Sequence, residues 1–127
     1  MKTKIILIVF ISIASSYLFA QKEIETIGQL LDDWHTAAAN ADQQSYFDFI
    51  ADDGIYIGTD ATENWTKAEF FEWSKPYFEN GKAWSFTANS RNIYISENDM
   101  FVWFDELLYS GKATLRGSGV LQKVDII

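Results

Sequence analysis

The sequence predicts an α+β fold, with helices before Ala83 and an antiparallel sheet after it. Three observations predict this fold. Apolar residues recur every three or four positions between Ile24 and Ala41, which is the spacing of an amphipathic helix. The segment Thr66-Lys67-Ala68-Glu69 has the form of a capping box, so a further helix begins there. From Ala83 onward the apolar period changes to two, which is typical of strands.

Residues 1–20 have the pattern of an export signal. Lys2 and Lys4 precede an apolar run from Ile5 to Phe19, and Ala20 then stands before a polar segment. As a helix this run would be roughly 22 Å long, shorter than the roughly 30 Å hydrocarbon core of a bilayer. An uncleaved membrane anchor is the alternative. We expect a periplasmic or secreted protein, and loss of the two lysines with the leader would take the net charge from −8 to −10.

The composition excludes several classes of protein. The chain of 127 residues contains no cysteine and one histidine, so it has neither a disulfide framework nor a multi-histidine zinc site. We therefore expect no metal and no cofactor. A net charge of −8 is unfavourable for binding nucleic acid or an anionic membrane, because phosphate contacts need clustered basic residues. Length allows one domain, residues 21–127 after the leader.

The first half of this domain is predicted to contain three helices and one short strand. The first helix runs from about Glu23 to Asn40, and Asp42 caps a short second helix. A turn at residues 52–54 leads into a strand, Ile55–Ile57. The third helix begins after its cap Thr66, contains Pro76 and ends at Gly81. Its predicted buried residues are Phe70, Phe71, Trp73, Ser74, Tyr77 and Phe78.

Three long strands are predicted to follow. They cover residues 84–96, 100–109 and 113–124, with a bulge near Asn89-Ser90 in the first of them. A turn at residues 97–99 separates the first two, and Gly111-Lys112 forms a two-residue hairpin turn between the last two. In that register Gly117 faces Glu106 and Gly119 faces Phe104, and small residues there leave room for the Phe104 ring.

Several segments together resemble one protein family. They are Trp34-His35-Thr36-Ala37-Ala38, Gly58-Thr59-Asp60-Ala61-Thr62-Glu63-Asn64-Trp65, Lys75-Pro76-Tyr77-Phe78, Gly81-Lys82-Ala83-Trp84, Trp103-Phe104-Asp105-Glu106 and Arg116-Gly117-Ser118-Gly119. In this order they are similar to the SnoaL-like branch of the nuclear transport factor 2-like superfamily, over residues 24–124. The resemblance implies a cystatin-like cone, in which three N-terminal helices pack on a curved, mostly antiparallel sheet and enclose a pocket.

The superfamily includes isomerases, dehydratases, polyketide cyclases and binding-only domains, so the resemblance implies a fold and a pocket rather than a reaction. Its members usually continue past a Val-Leu-Gln-Lys strand with one further strand. Here residues 123–127 end the sequence, and we expect the last strand to be missing. The exposed strand edge that this leaves could pair with another chain.

His35 and Asp60 are the candidate catalytic residues. His35 is the side chain whose ordinary pKa suits a general base near neutral pH. Asp60 and Glu63 lie in the loop before the third helix, where a buried carboxylate could act as an acid or base. The structural alternatives are a hydrogen-bonded histidine at the helix edge, and a loop in which Asp60 forms a turn while Glu63 lies near a helix N-terminus.

Asp105 and Arg116 are predicted to be diagonal neighbours on one face of the sheet. The functional interpretation is a clamp for an anion or carbonyl inside the cone, with Arg116 as the donor. The alternative is an ion pair that only fixes the strand register. A hairpin turn of another length would favour Glu106 in place of Asp105.

Aromatic residues are predicted to supply most of the core and part of a ligand pocket. The pocket candidates are Trp34, Tyr46, Tyr56, Trp65, Trp84 and Trp103, together with the polar Glu63, Asp105 and Arg116. An aromatic wall with few polar groups suits a planar or apolar small molecule. We therefore expect a homodimeric binding domain. The alternatives are a cofactor-free isomerase, dehydratase or cyclase using His35, and an interaction module that pairs through its open sheet edge.

Overall fold

The computed structural model describes the backbone of residues 2–124, and the side chains of residue 13 and residues 15–124. In chain order its elements are α1 (Lys2–Ala39), α2 (Gln43–Asp48), β1 (Ile55–Ile57), β2 (Asn64–Thr66), α3 (Lys67–Glu79), β3 (Thr87–Ile95), β4 (Phe101–Tyr109) and β5 (Thr114–Gln122). The predicted end of the sheet at residues 123–127 lies largely outside the described residues.

The three long strands form an antiparallel sheet in the order β3-β4-β5, while β1 and β2 form a separate hairpin. The register of β3 shifts between Ala88 and Ser90, which confirms the predicted bulge at Asn89. The pairing of Glu106 with Gly117 and of Phe104 with Gly119 follows from the two-residue turn at Gly111-Lys112. The α+β class, with helices packed against a mostly antiparallel sheet, is confirmed.

Helix α1 packs directly on the inner face of this sheet. Successive residues of β4 point to opposite faces, and Val102 and Phe104 are buried on the inner one. They pack against Ile27 and Leu31 of α1. Burial of this apolar stripe holds the first helix across β3 and β4 and brings His35 over the strand pair.

A second core joins the ends of all three helices. Ala38 of α1, Tyr46 and Phe47 of α2 and Phe70 and Phe78 of α3 are buried in one cluster. Asp42 caps α2 by accepting a hydrogen bond from the Ser45 amide at 3.1 Å. The capping box of α3 forms between Thr66 and Glu69, as the sequence predicts. Each cap satisfies amide groups that the first turn leaves without helical partners.

Four details differ from the sequence prediction. Helix α1 begins at Lys2 rather than near residue 23, because the leader contains neither proline nor glycine to interrupt it. Strand β2 was not predicted, since three residues are too few to show a period of two.

Trp73 and Tyr77 are exposed, because the buried row of α3 is Phe70, Ser74 and Phe78. Strand β3 begins at Thr87 rather than residue 84.

No helix among the described residues is long and apolar enough to cross a membrane.

Candidate functional site

A carboxylate lies on the apolar inner face of the sheet. In β4 the inward residues are Val102, Phe104, Glu106 and Leu108. Glu106 is therefore a charged residue in a row that is otherwise apolar. It is 1% exposed. A charge in such a place must be paired, because its removal from water is otherwise very costly.

Glu106 is paired on both of its oxygens. Arg91, its cross-strand partner on β3, donates from Nε to Oε1 at 2.6 Å. His35 Nε2 lies 2.8 Å from Oε2. The guanidinium also donates from Nη1 to the Gly28 carbonyl at 2.9 Å and from Nη2 to Asp32 Oδ1 at 2.7 Å. We call His35, Glu106, Arg91 and Asp32 the His35 network; it joins α1, β3 and β4.

Charge pairing determines the ionisation of the network. Burial by itself raises the pKa of Glu106, but the hydrogen bonds and positive charge of its partners prevail, and the pKa of this carboxyl lies below its usual range. Burial likewise opposes ionisation of Arg91, and its bonds to Asp32 and Glu106 outweigh that effect and raise its pKa. Glu106 is therefore a carboxylate at neutral pH, and it is an acceptor on both oxygens.

Among the described residues, one nitrogen of the His35 ring has a hydrogen-bond partner and the other has none. The residue is 8% exposed, and its ring lies 5.5 Å from the Trp34 ring and 6.4 Å from the Phe86 ring. Among the described residues none forms a hydrogen bond with Nδ1, and this atom is not among the fully buried unpartnered ones. Nδ1 therefore keeps a small opening to solvent.

Asp60 lies in an exposed loop, away from the His35 network. Its carboxylate accepts from the Thr62 amide at 2.9 Å and the Thr62 hydroxyl at 2.6 Å. These bonds lower the pKa of Asp60, and they are the turn-forming contacts that the structural alternative predicts. Glu63 accepts from the Asp60 amide at 3.2 Å, so both candidate carboxylates of this loop bind their own loop.

Asp105 and Arg116 lie on the outer face of the sheet. They are the predicted diagonal neighbours, with Arg116 Nη1 3.5 Å from Asp105 Oδ1. The Arg116 side chain is 68% exposed. The pair faces away from α1, because β4 turns its odd-numbered residues outward. The clamp interpretation required it to face into the cone, so this position agrees instead with the alternative, an ion pair that fixes the strand register. Trp103 lies on the same outer face, 48% exposed and stacked on Tyr94.

The other predicted pocket aromatics pack on one another in the helical core. The ring centroids of Trp34 and Tyr46 are 4.9 Å apart, and those of Tyr46 and Trp84 are 5.4 Å apart. Tyr56 stacks on the Phe70 ring at 3.7 Å. Burial raises the pKa of Tyr46 well above its usual range. Of these residues, Trp34 also contacts the His35 ring.

Two open grooves lie elsewhere on the surface. One, of about 490 Å³, lies between α1 residues including Phe19 and Glu23 and the turn after β3 at Ser96 and Glu97. The other, of about 390 Å³, lies beside Lys67 and Phe71. Neither groove contains a residue of the His35 network. The described residues include no group of three or more side chains that could hold a metal ion.

The sequence analysis identified His35, considered Glu106 only as an alternative partner of Arg116, and did not identify Arg91 or Asp32. One signal could have found Glu106, since it is the charged residue within an inward row that is otherwise Val102, Phe104 and Leu108. Arg91 then follows as its cross-strand partner, but only once the bulge before Ser90 is placed correctly.

The helices on an antiparallel sheet, with a polar network between α1 and the inner strands, define a domain of the nuclear transport factor 2-like class. The family profile of the SnoaL-like domain matches residues 27–126, and the chain belongs to this family. A solved structure described as a putative calcium/calmodulin dependent protein kinase II association domain from Xanthomonas campestris is similar, with a TM-score of 0.57. It is 18% identical, and the match covers 79% of this chain and 76% of that one, so the likeness concerns the fold. No curated protein matches this chain.

Proposed function

We propose that this SnoaL-like protein is an exported domain that binds a small apolar or aromatic molecule beside His35. The observation that carries the proposal is Nδ1 of His35, which has no hydrogen-bond partner among the described residues and belongs to a ring 5.5 Å from the Trp34 ring and 6.4 Å from the Phe86 ring. Sites for small molecules combine aromatic walls with a few fixed polar groups. Glu106 fixes the ring by its contact with Nε2, and Arg91 in turn holds the Glu106 carboxylate.

Native mass spectrometry of protein purified gently from the exported fraction tests this proposal. We expect a discrete bound mass, together with the mass of a chain cleaved near Ala20. His35→Ala is expected to lose the bound mass. Thr36→Ala, the exposed next residue of α1, is the matched control and is expected to retain it. A wild-type protein that carries no bound molecule, or a His35→Ala variant that retains it fully, would contradict the proposal.

A second candidate function is cofactor-free proton transfer, as in an isomerase, dehydratase or cyclase. The observation in its favour is the 2.8 Å contact between Glu106 and His35, because a carboxylate on one imidazole nitrogen orients the ring and supports the other nitrogen as a general base. In such a mechanism Nδ1 of His35 would take a proton from carbon next to a carbonyl and return it elsewhere.

The proton-transfer candidate is tested by hydrogen–deuterium exchange of an enolisable aromatic ketone, 2-tetralone, followed by NMR. We expect exchange faster than in buffer, with a pH dependence that disappears in His35→Ala and persists in Thr36→Ala. Equal exchange rates in wild-type protein, His35→Ala and buffer would leave binding as the function of the site.

We also propose that the protein forms a homodimer through the outer face of the sheet. This face exposes Tyr94, Phe101, Trp103 and Val120, and contiguous exposed apolar groups are typical of interfaces. The charges of Asp105 and Arg116 balance on it, whereas the whole chain is strongly acidic. Two copies can therefore meet on this face with little charge repulsion.

A further inference from the structure

The inference below rests on the proposed function and concerns the chemical class of the ligand. We infer that the His35 network presents Nδ1 as a hydrogen-bond acceptor, and that the site takes an uncharged molecule with a hydroxyl donor, of the phenol or enol class, in preference to an anion. Glu106 acts as a positioning residue, through its hold on Nε2.

Each of the three guanidinium nitrogens of Arg91 donates a hydrogen bond within the protein. Nε donates to Glu106, Nη1 to the Gly28 carbonyl and Nη2 to Asp32. Three of the five N–H donors of Arg91 are used in this way, and its side chain is 13% exposed. A guanidinium binds anions best through paired, accessible donors, and the charge of Arg91 is already paired with Glu106 and Asp32.

The tautomer of the His35 imidazole follows from its contact with Glu106. Ionised Glu106 only accepts hydrogen bonds, so Nε2 of His35 must carry the proton of their 2.8 Å contact. In a neutral imidazole the other nitrogen then has a lone pair and no proton. The charges of the partly buried Arg91 and the buried Glu106 balance each other, while Asp32 is exposed and its charge is screened by solvent. Nδ1 is thus an acceptor beside a network whose cation is paired with its own carboxylates.

One substitution is expected to reverse this polarity. In Glu106→Gln the side-chain oxygen must stay on Arg91, because Arg91 can only donate. The new amide NH₂ then faces His35 at the position of Oε2. To accept from that group, His35 must move its proton from Nε2 to Nδ1. The variant is expected to present a donor to the ligand where the wild type presents an acceptor.

The chain contains one histidine, so ¹⁵N NMR of tag-free, labelled full-length protein reads this tautomer without an assignment step. The measurement is made at pH 8.5, where an ordinary imidazole is neutral. We expect the Nε2–H form in the wild type and the Nδ1–H form in Glu106→Gln. Asp105→Asn changes the neighbouring residue on the outer face and is the matched control, with the wild-type tautomer expected.

Ligand class is tested on the same samples with phenol and benzoate, two probes of similar size that differ in charge. Phenol is expected to shift the His35 ring signals of the wild type at concentrations at which benzoate does not. In Glu106→Gln this preference is expected to weaken or reverse, because Nδ1–H can donate to a carboxylate.

The outcomes separate the two claims. An Nδ1–H tautomer in the wild type, or an unchanged tautomer in folded Glu106→Gln, would overturn the assignment of Glu106 as the positioning residue. A stronger response to benzoate than to phenol in the wild type would overturn the ligand class. A response to neither probe would overturn both the ligand class and the proposed binding at His35, whatever the tautomer. Should Glu106→Gln fail to fold, the wild-type tautomer and probe preference still decide each claim.

Discussion

Glu106 is the residue on which the inner face of the sheet depends. Its carboxylate is almost wholly buried and is stable there because Arg91 and His35 occupy its two oxygens. Deleting one partner of a buried pair is far more harmful than never having had the pair, since the remaining charge keeps its desolvation cost. Asp105, one position away, makes a long and solvent-exposed contact with Arg116. Such an exposed ion pair contributes little to the free energy of unfolding.

Glu106→Ala is therefore expected to lower the free energy of unfolding by about 3–5 kcal/mol, because both the partly buried Arg91 and the buried His35 lose the carboxylate that they bind. Asp105→Ala is the matched control in the same strand and is expected to cost less than about 1 kcal/mol. Urea unfolding of both variants measures the difference. Similar losses in the two variants would show that the His35 network is solvated rather than buried.

The depressed pKa of Glu106 gives the protein a pH-dependent stability. A carboxyl with a lower pKa in the folded than in the unfolded chain stabilises the fold fully above its ordinary value of 4.5. That contribution is lost as pH falls below this value and through the folded pKa. Urea midpoints between pH 3 and 7 should fall more steeply for the wild type than for Glu106→Gln. Parallel curves would contradict the assignment.

For single residues, the sequence identified a functional candidate where the residue type itself is rare. It did not identify a residue that is distinguished only by its position in the fold. His35 stands out because it is the only histidine. Glu106 is one of many acidic residues, and only its position on the inward row of β4 distinguishes it. The pairing of Asp105 with Arg116 was predicted correctly from the turn, but the face on which they lie depends on how the sheet meets α1.

At the scale of elements, β5 is shaped by the bulky side chains of its neighbour. Gly119 lies opposite Phe104, and a Cβ atom there would come within 2.9 Å of the Phe104 ring. Gly117 lies opposite Glu106, and a Cβ there would lie 3.2 Å from Leu108. The small residues of β5 thus let β4 project Phe104 and Glu106 beneath α1.

Gly119→Ala is expected to destabilise the protein by about 1–3 kcal/mol, since Phe104 must move from its packed position against α1. Ser118→Ala, the next residue on the outer face, is the control and is expected to stay within about 0.5 kcal/mol of the wild type. Thermal unfolding measures both changes. An unchanged stability of Gly119→Ala would contradict this account, because it would mean that the Phe104 ring can move aside without loss of packing.

Elements were predictable where local chemistry marks their ends. Asp42, Thr66 and the Gly111-Lys112 turn fix boundaries through caps and turn geometry. Strand β2 has no such mark, because its three residues gain their structure from pairing with β1. The orientation of α3 was only partly predictable, since Trp73 lies beside the buried row and stacks on Trp65 at the surface.

At the scale of the whole molecule, α1 connects two cores with different characters. One is the aromatic cluster among the three helices, and the other is the apolar inner face of the sheet. His35 and its network lie on α1 where it crosses β3 and β4. The sequence predicted the fold in which α1 crosses the sheet. It did not predict how the three helices meet, and their packing places the aromatic side chains in a core rather than around a pocket.

The proposed dimer is tested by light scattering coupled to size-exclusion chromatography. The wild type is expected at twice the chain mass. Trp103→Glu is expected to give a monomer, because it adds a charge at the centre of the outer apolar face. Ile57→Glu adds the same charge to an exposed residue of β1 and is expected to leave the dimer intact. A monomeric wild type at high concentration would contradict the proposed interface.

The central claim is that a small molecule binds at Nδ1 of His35 while Glu106 holds Nε2. A crystal structure of the gently purified protein with its retained molecule tests it most directly. The account predicts a hydroxyl of that molecule about 2.7–3.2 Å from Nδ1, with Glu106 still on Nε2. A retained molecule bound away from His35, or His35 Nδ1 closed off by protein atoms, would contradict it.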